Sequence, residues 1–140
     1  MRFTSDVSGF VTGIRFYKGA ANTGTHVGSL WTSAGVRLAS VTFQEETASG
    51  WQQASFATPV AVTAGTEYVA SYLAPVGRYA ADVNAFSAQA VDAAPLHASA
   101  STPVAGNGVL SRGVGSTFPT STSEDTNYWV DVVFANRLQP

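Results

Sequence analysis

Phe10-Val11-Thr12-Gly13-Ile14-Arg15-Phe16-Tyr17-Lys18 decides the fold. At a period of two, Phe10, Ile14 and Phe16 fall on one face and Arg15 and Tyr17 on the other, the pattern of a half-buried strand. The same period recurs on both sides. Gly19 to Gly28 holds turn chemistry and reads as a loop. Ser29 to Thr32 is a short strand, and Ser33-Ala34-Gly35 is a hairpin-sized turn in which glycine supplies a positive φ. Val36 to Phe43 returns, with an apolar set that starts at Val36 and Leu38 and then moves to Ala39, Val41 and Phe43. That slip of phase predicts a bulge.

Further on, Trp51 to Phe56 and Pro59 to Val62 read as two strands, the second edge-like because proline has no ladder donor. Glu67 to Leu73 alternates again, and Tyr128 to Phe134 is β-branched and aromatic. Val62 to Tyr68 has the spacing of a tyrosine corner, in which the phenol bonds back to upstream backbone. No amphipathic helical stripe is present. Short strands with turns at roughly 8–12-residue intervals predict an all-β fold with little helix, an antiparallel β-sandwich of jelly-roll or immunoglobulin-like type. Between Pro75 and Asn127 the pattern dissolves into short candidates: Arg78 to Ala80, Ala85 to Val91 and Gly108 to Ser111. Irregular stretches of that length are usually functional or mis-assigned, and two or three short strands and one helical turn are expected there.

Composition bounds the rest. The 140 residues suffice for one domain, predicted over 1–140, with a core that needs no staples. There is no cysteine, hence no disulfide and no thiolate metal site. Only 11% of residues are charged and the net charge is −2, which argues against a nucleic-acid binder. No apolar run approaches the ~18 residues of a membrane span, so no membrane insertion is expected. Arg2-Phe3-Thr4, directly after Met1, already reads as the approach to a strand. The expectation is a monomeric module excised from a longer secreted protein.

Several blocks carry a family resemblance: Phe10 to Gly19, Thr25 to Trp31, Glu46 to Gln52, Tyr68 to Tyr72, Pro95 to Ala98 and Asn127 to Phe134. From about Phe3 to Phe134 the chain resembles the bacterial domain of unknown function 4082 family. The resemblance implies a β-sandwich module attached to secreted or cell-surface multidomain proteins, some with polysaccharide-active or adhesive partners. It implies no activity. Where a Gly-His-Tyr-like block is expected, this chain has Gly77-Arg78-Tyr79.

The chemistry points away from catalysis. There is no nucleophile elbow, phosphate loop or zinc helix, and His26 and His97 alone cannot complete a zinc site. Glu45 and Glu46 are adjacent, so on extended backbone they point apart and do not form a glycosidase pair. Asp82-Val83-Asn84 and Asp125-Thr126-Asn127 are each the start of an oxygen-ligand loop. They read either as Asx-turns or as sites for a structural Ca²⁺; no cofactor is required.

Trp31 and Trp51, at strand edges beside glycine-rich loops, are candidate stacking rings, while Trp129 reads as core. Tyr79, Asp82, Asn84, His97, Asn107 and Arg112 crowd the irregular stretch, and with His26 they complete a candidate ligand-binding set. The expected function is a non-catalytic carbohydrate-binding module whose partners are a glycan and the parent protein's other domains. The alternative is a structural or adhesive spacer. Lys18, the only lysine, shares the parity of Ile14 and Phe16, and a buried ammonium needs a partner. Lys18 reads either as a surface lysine that snorkels its ammonium to water at the strand end, or as the partner of Asp131, with an autocatalytic Lys–Asn isopeptide cross-link as the covalent version.

Overall fold

The computed structural model describes residues 1–87, 90–101, 106–113 and 115–138. In chain order the strands are β1 (Arg2–Ser5), β2 (Gly9–Lys18), β3 (Val27–Thr32), β4 (Arg37–Thr42), β5 (Gly50–Val62) and β6 (Tyr68–Leu73). The shorter β7 (Val91–Ala93), β8 (Leu96–Ala98), β9 (Val109–Leu110) and β10 (Ser121–Thr122) precede β11 (Val130–Ala135). Among the described residues there is no helix.

A six-stranded sheet runs β4-β3-β6-β1-β8-β7, and a three-stranded sheet runs β11-β2-β5; β9 and β10 form a separate ribbon. All their pairings are antiparallel. The main core joins Phe3, Leu30, Tyr68 and Ala70 of the larger sheet to Val11, Ile14, Phe16, Phe56, Val62, Val130 and Val132 of the smaller. The fold is therefore all-β and sandwich-like, as the alternation required. Phe16 sits at its centre, stacked on Tyr72 with centroids 4.3 Å apart and edge-on to Phe43 at 4.9 Å. Such pairs add about 0.5–1.5 kcal/mol beyond the area they bury.

Local readings hold where backbone chemistry is explicit. Gly35 has φ 92° in its turn. Leu30 pairs with Ala39 and Trp31 with Arg37, so Leu38 is the bulged residue behind the phase slip. The Tyr68 hydroxyl accepts the Thr63 amide at 3.0 Å, closing the tyrosine corner.

Four readings change. Trp51–Phe56 and Pro59–Val62 are one strand, β5, whose register against β2 jumps between Val11 and Gly13. Pro59 lies in the segment skipped by that jump, where no donor is needed. The same irregularity inverts the parity of β2: Val11, not Phe10, is fully buried before it, and Ile14 and Phe16 after it. Arg78 to Ala80 forms no strand. The strand expected over Ala85 to Val91 includes residues 88 and 89, outside the described residues; β7 begins at Val91.

The late segment also covers the far face of the larger sheet. Trp31 is 4% exposed and packs with Val69, Val109 and Phe118. Its Nε1 donates to Ser71 Oγ at 2.8 Å, and the Arg37 guanidinium lies 4.7 Å over its ring.

Candidate functional site

The alternation of β2 that buries Ile14 and Phe16 turns Arg15 and Tyr17 outward. Antiparallel pairing then sets Tyr17 beside Trp51 of β5 and Arg15 between Gln53 of β5 and Asp131 of β11. The Tyr17 amide donates to the Trp129 carbonyl at 2.9 Å, which anchors Trp129 at the start of β11. Trp129 has φ 56°, and its amide is held at 2.8 Å by the Asn127 side-chain oxygen. An Asx-turn thus aims the third aromatic at the same face.

Trp51 and Tyr17 remain 46% and 42% exposed, with rings edge-on at 5.7 Å. Trp129 is half-buried, its ring 6.3 Å from Trp51. The Arg15 guanidinium lies 4.8 Å from the Trp51 ring centre and donates from Nε (3.0 Å) and Nη2 (2.6 Å) to one Asp131 oxygen. Each link is weak at this exposure, about 0.5–1 kcal/mol for the cation–π contact and 0.2–1 kcal/mol for the ion pair. Together they hold the indole in one orientation. An open aromatic surface ringed by a guanidinium, a carboxylate and the Gln53 amide can stack on a flat C–H face and bond the hydroxyls around it.

From this platform a groove of about 280 Å³ runs to the β7–β8 hairpin, lined by Trp51, Trp129, Asp131, Phe86 and His97 among others. His97 bridges two carboxylates, Nε2 2.7 Å from Asp6 and Nδ1 2.6 Å from Asp92. Asp6, then Asp92, raises its pKa. A larger cleft of about 540 Å³ lies elsewhere, lined by Tyr72, Tyr79, Arg112 and Tyr128 among others. Tyr79 and Tyr128 meet edge-on at 5.2 Å there, and burial, then Tyr79, pushes the Tyr128 phenol up.

The predicted site residues therefore part company. Trp51 and His97 share the groove; Tyr79 and Arg112 share the cleft. Trp31, His26 and Asn107 are 4%, 0% and 2% exposed, so none offers a free surface. Asn107 is a clamp. Its Oδ1 accepts the amides of Arg2 and Gly108, and its Nδ2 donates to the carbonyls of Arg2 and Ser99. Both donors and both lone pairs of its amide are used.

Asp82 and Asn127 are brought together as an isolated bridge, each amide donating to the other's carbonyl at 2.9 and 3.0 Å. Asn84 and Asp125 flank it, their segments joined by the Asn84 amide to the Glu124 carbonyl and the Phe86 amide to the Asp125 carbonyl. The Asx-turn reading holds for Asn127, whose side-chain oxygen serves Trp129. Among the described residues no three His, Cys, Asp or Glu side chains are grouped to hold a metal ion.

Lys18 and Asp131 do not pair. Lys18 is buried and does not snorkel to water at the strand end, and Asp131 stands opposite outward-facing Arg15. The partner of Lys18 is Glu46, with Nζ 3.2 Å from Oε1 and 3.0 Å from the Thr47 carbonyl. Sequence reasoning missed Arg15, Tyr17, Asp131 and Trp129 as one surface. Their shared outward parity was the available signal, and only the sheet order says which strands adjoin. Glu46 carried no signal of its pairing with Lys18, because it lies in a loop whose course no strand period fixes.

An all-β, sandwich-like domain with an aromatic platform on its smaller sheet is the class these features define. The family model described as "Domain of unknown function (DUF4082)" matches residues 1–130, and the chain belongs to that family. No curated protein and no solved structure matches it.

Proposed function

We propose that the domain is a non-catalytic glycan-binding module of a secreted or cell-surface bacterial protein, and that Trp51 is its principal stacking ring. The observation that carries this reading is Trp51, 46% exposed beside Tyr17 and braced by Arg15 and Asp131. A large apolar ring held in place at the surface costs little to order on binding. One platform of this size gives weak affinity, raised by tethering to a neighbouring domain that engages the same polymer.

Affinity electrophoresis against chitin, cellulose, xylan, dextran and mannan tests it. Retention on at least one polymer, lost in Trp51→Ala and kept in Tyr79→Ala, is expected. Retention lost in Tyr79→Ala instead would move the site to the larger cleft. Folded protein retained by none, on these gels or on a glycan array, would remove the reading.

The spacer reading is favoured by a separate observation, the burial of Trp31 beneath Val109 and Phe118. That face is closed by the chain's own late segment. A spacer would sit among tandem sandwich repeats, and a binding module beside a polysaccharide-active domain.

A further inference from the structure

Behind the platform, on the inner side of β2, lies a polar cluster that glycan binding does not use. The Lys18 and Glu46 side chains are 10% and 12% exposed and His26 is wholly buried. His26 Nδ1 stands 2.7 Å from Glu46 Oε1, the oxygen that also meets Lys18 Nζ at 3.2 Å. Neither His26 Nδ1 nor Glu46 Oε1 finds an aligned hydrogen bond, although both are sealed from solvent. These atoms are paired by charge but poorly aligned, and a sealed polar contact of that kind calls for an explanation.

The far side of the imidazole is fixed. Asn22, 1% exposed, places its Oδ1 2.8 Å from His26 Nε2, and its Nδ2 donates to the Tyr72 hydroxyl at 3.4 Å. With Asn22 oriented as an acceptor, Nε2 carries a proton. Nδ1 then faces a carboxylate oxygen, and the pair is attractive only with a second proton between them. Phe16, 4.8 Å from the imidazole, and Tyr72 make the surroundings aromatic. An amine, a carboxyl and a proton carrier thus converge on one oxygen in a site from which water is largely excluded.

We propose that Lys18 and Glu46 join spontaneously in an intramolecular isopeptide bond, with His26 as the proton carrier. Lys18 Nζ passes a proton to Oε1, leaving a neutral amine and a neutral carboxylic acid. Nζ then attacks Cδ, and the new C–N bond forms as the carbonyl π pair moves to Oε2. His26 gives its Nδ1 proton to Oε1, the Cδ–Oε1 bond breaks as the Oε2 pair re-forms the carbonyl, and one water leaves. The surplus proton on the nitrogen returns to His26. The overall change is ammonium plus carboxylate to amide plus water, with His26 restored. Desolvation opposes the charged forms, but His26 and Lys18 keep Glu46 a carboxylate at rest, so the neutral pair forms only transiently. Expulsion of the water to bulk favours the product.

The bond would tie β2 to the β4–β5 loop, directly before Trp51. It does not depend on the glycan reading. Intact-mass measurement on the folded protein tests it. The expected mass is one water below the sequence value, with the missing water mapped by peptide sequencing to a Lys18–Glu46 linked pair. Lys18→Arg, which keeps the cation but cannot complete this reaction, is expected at its full sequence mass. His26→Gln is expected to slow the approach to the lighter species after refolding. Wild-type protein that melts cooperatively and stays at full mass overturns the proposal. So does a lost water that maps to another residue or persists in Lys18→Arg.

Discussion

Two ion pairs share strand β2 and stand three residues apart in sequence, yet they belong to different physical regimes. Arg15–Asp131 lies on the outer face with side chains 43% and 32% exposed; Lys18–Glu46 lies on the inner face at 10% and 12%. Water screens the first pair, so its worth is orientation: it holds Trp51 open. The second has given up hydration, so each member depends on the other. Side-chain chemistry is similar in both. Alternation along the strand and the loop that closes over Glu46 make the difference.

The sharpest way to break this comparison is to remove one partner on the inner face. Relative to Lys18→Arg, which keeps a cation against Glu46 and cannot form the amide, Lys18→Met is expected to destabilise by up to about 3–5 kcal/mol, since the buried Glu46 then keeps only His26. Lys18→Met with Glu46→Leu should recover part of that, His26 Nδ1 then facing no carboxylate. Urea unfolding of these variants checks it, and equal loss in single and double variants would erase the contrast.

Acid comes next, read on Lys18→Arg, in which Glu46 is expected to remain a free carboxyl. Burial pushes the unlinked Glu46 carboxyl up, but His26 and Lys18 outweigh it, and its pKa lies below the usual carboxylate value. With the substituted guanidinium supplying the same charge, that depression should persist. Its contribution is full above the unfolded carboxylate pKa and is lost as pH falls through the lower folded value. A melting temperature that falls below about pH 4.3 in Lys18→Arg, and less in Lys18→Arg/Glu46→Gln, is expected. Identical acid profiles would place Glu46 in solvent.

On the outer face, Arg15→Met should cost only about 0.2–1 kcal/mol of stability. It should weaken glycan retention by more than its effect on melting, because Trp51 loses its brace. A large fall in stability would mean that the platform is part of the core.

His97 should show a smaller effect of opposite sign. Asp6 and then Asp92 raise its pKa, so its stabilisation is full below about pH 6.5 and fades as pH rises through the folded value. Asp92→Asn should flatten that slope in a pH series of melting curves. Smallest of all is chelation. With the Asn127 oxygen already serving Trp129, excess chelator should leave the melting curve in place. A stabilising ion at a hundred times its dissociation constant would instead contribute about 2.7 kcal/mol.

The sequence by itself determined what depends on neighbours along the chain. Strand period, the Gly35 turn, the Leu38 bulge and the Tyr68 corner are local, so composition and spacing made them legible. Parity put Lys18 with Ile14 and Phe16, but at a strand end it left open whether the ammonium stays inside or snorkels to water. Tertiary structure decided everything that needs two distant segments. It set Arg15 against Asp131, brought Glu46 from a loop to Lys18 and His26, closed Val109 and Phe118 over Trp31, and left Trp51 open on an edge strand. The physical reason is that alternation fixes only which way a side chain points. What it meets there is set by sheet order and by the loops that close over each face, and no local pattern encodes either.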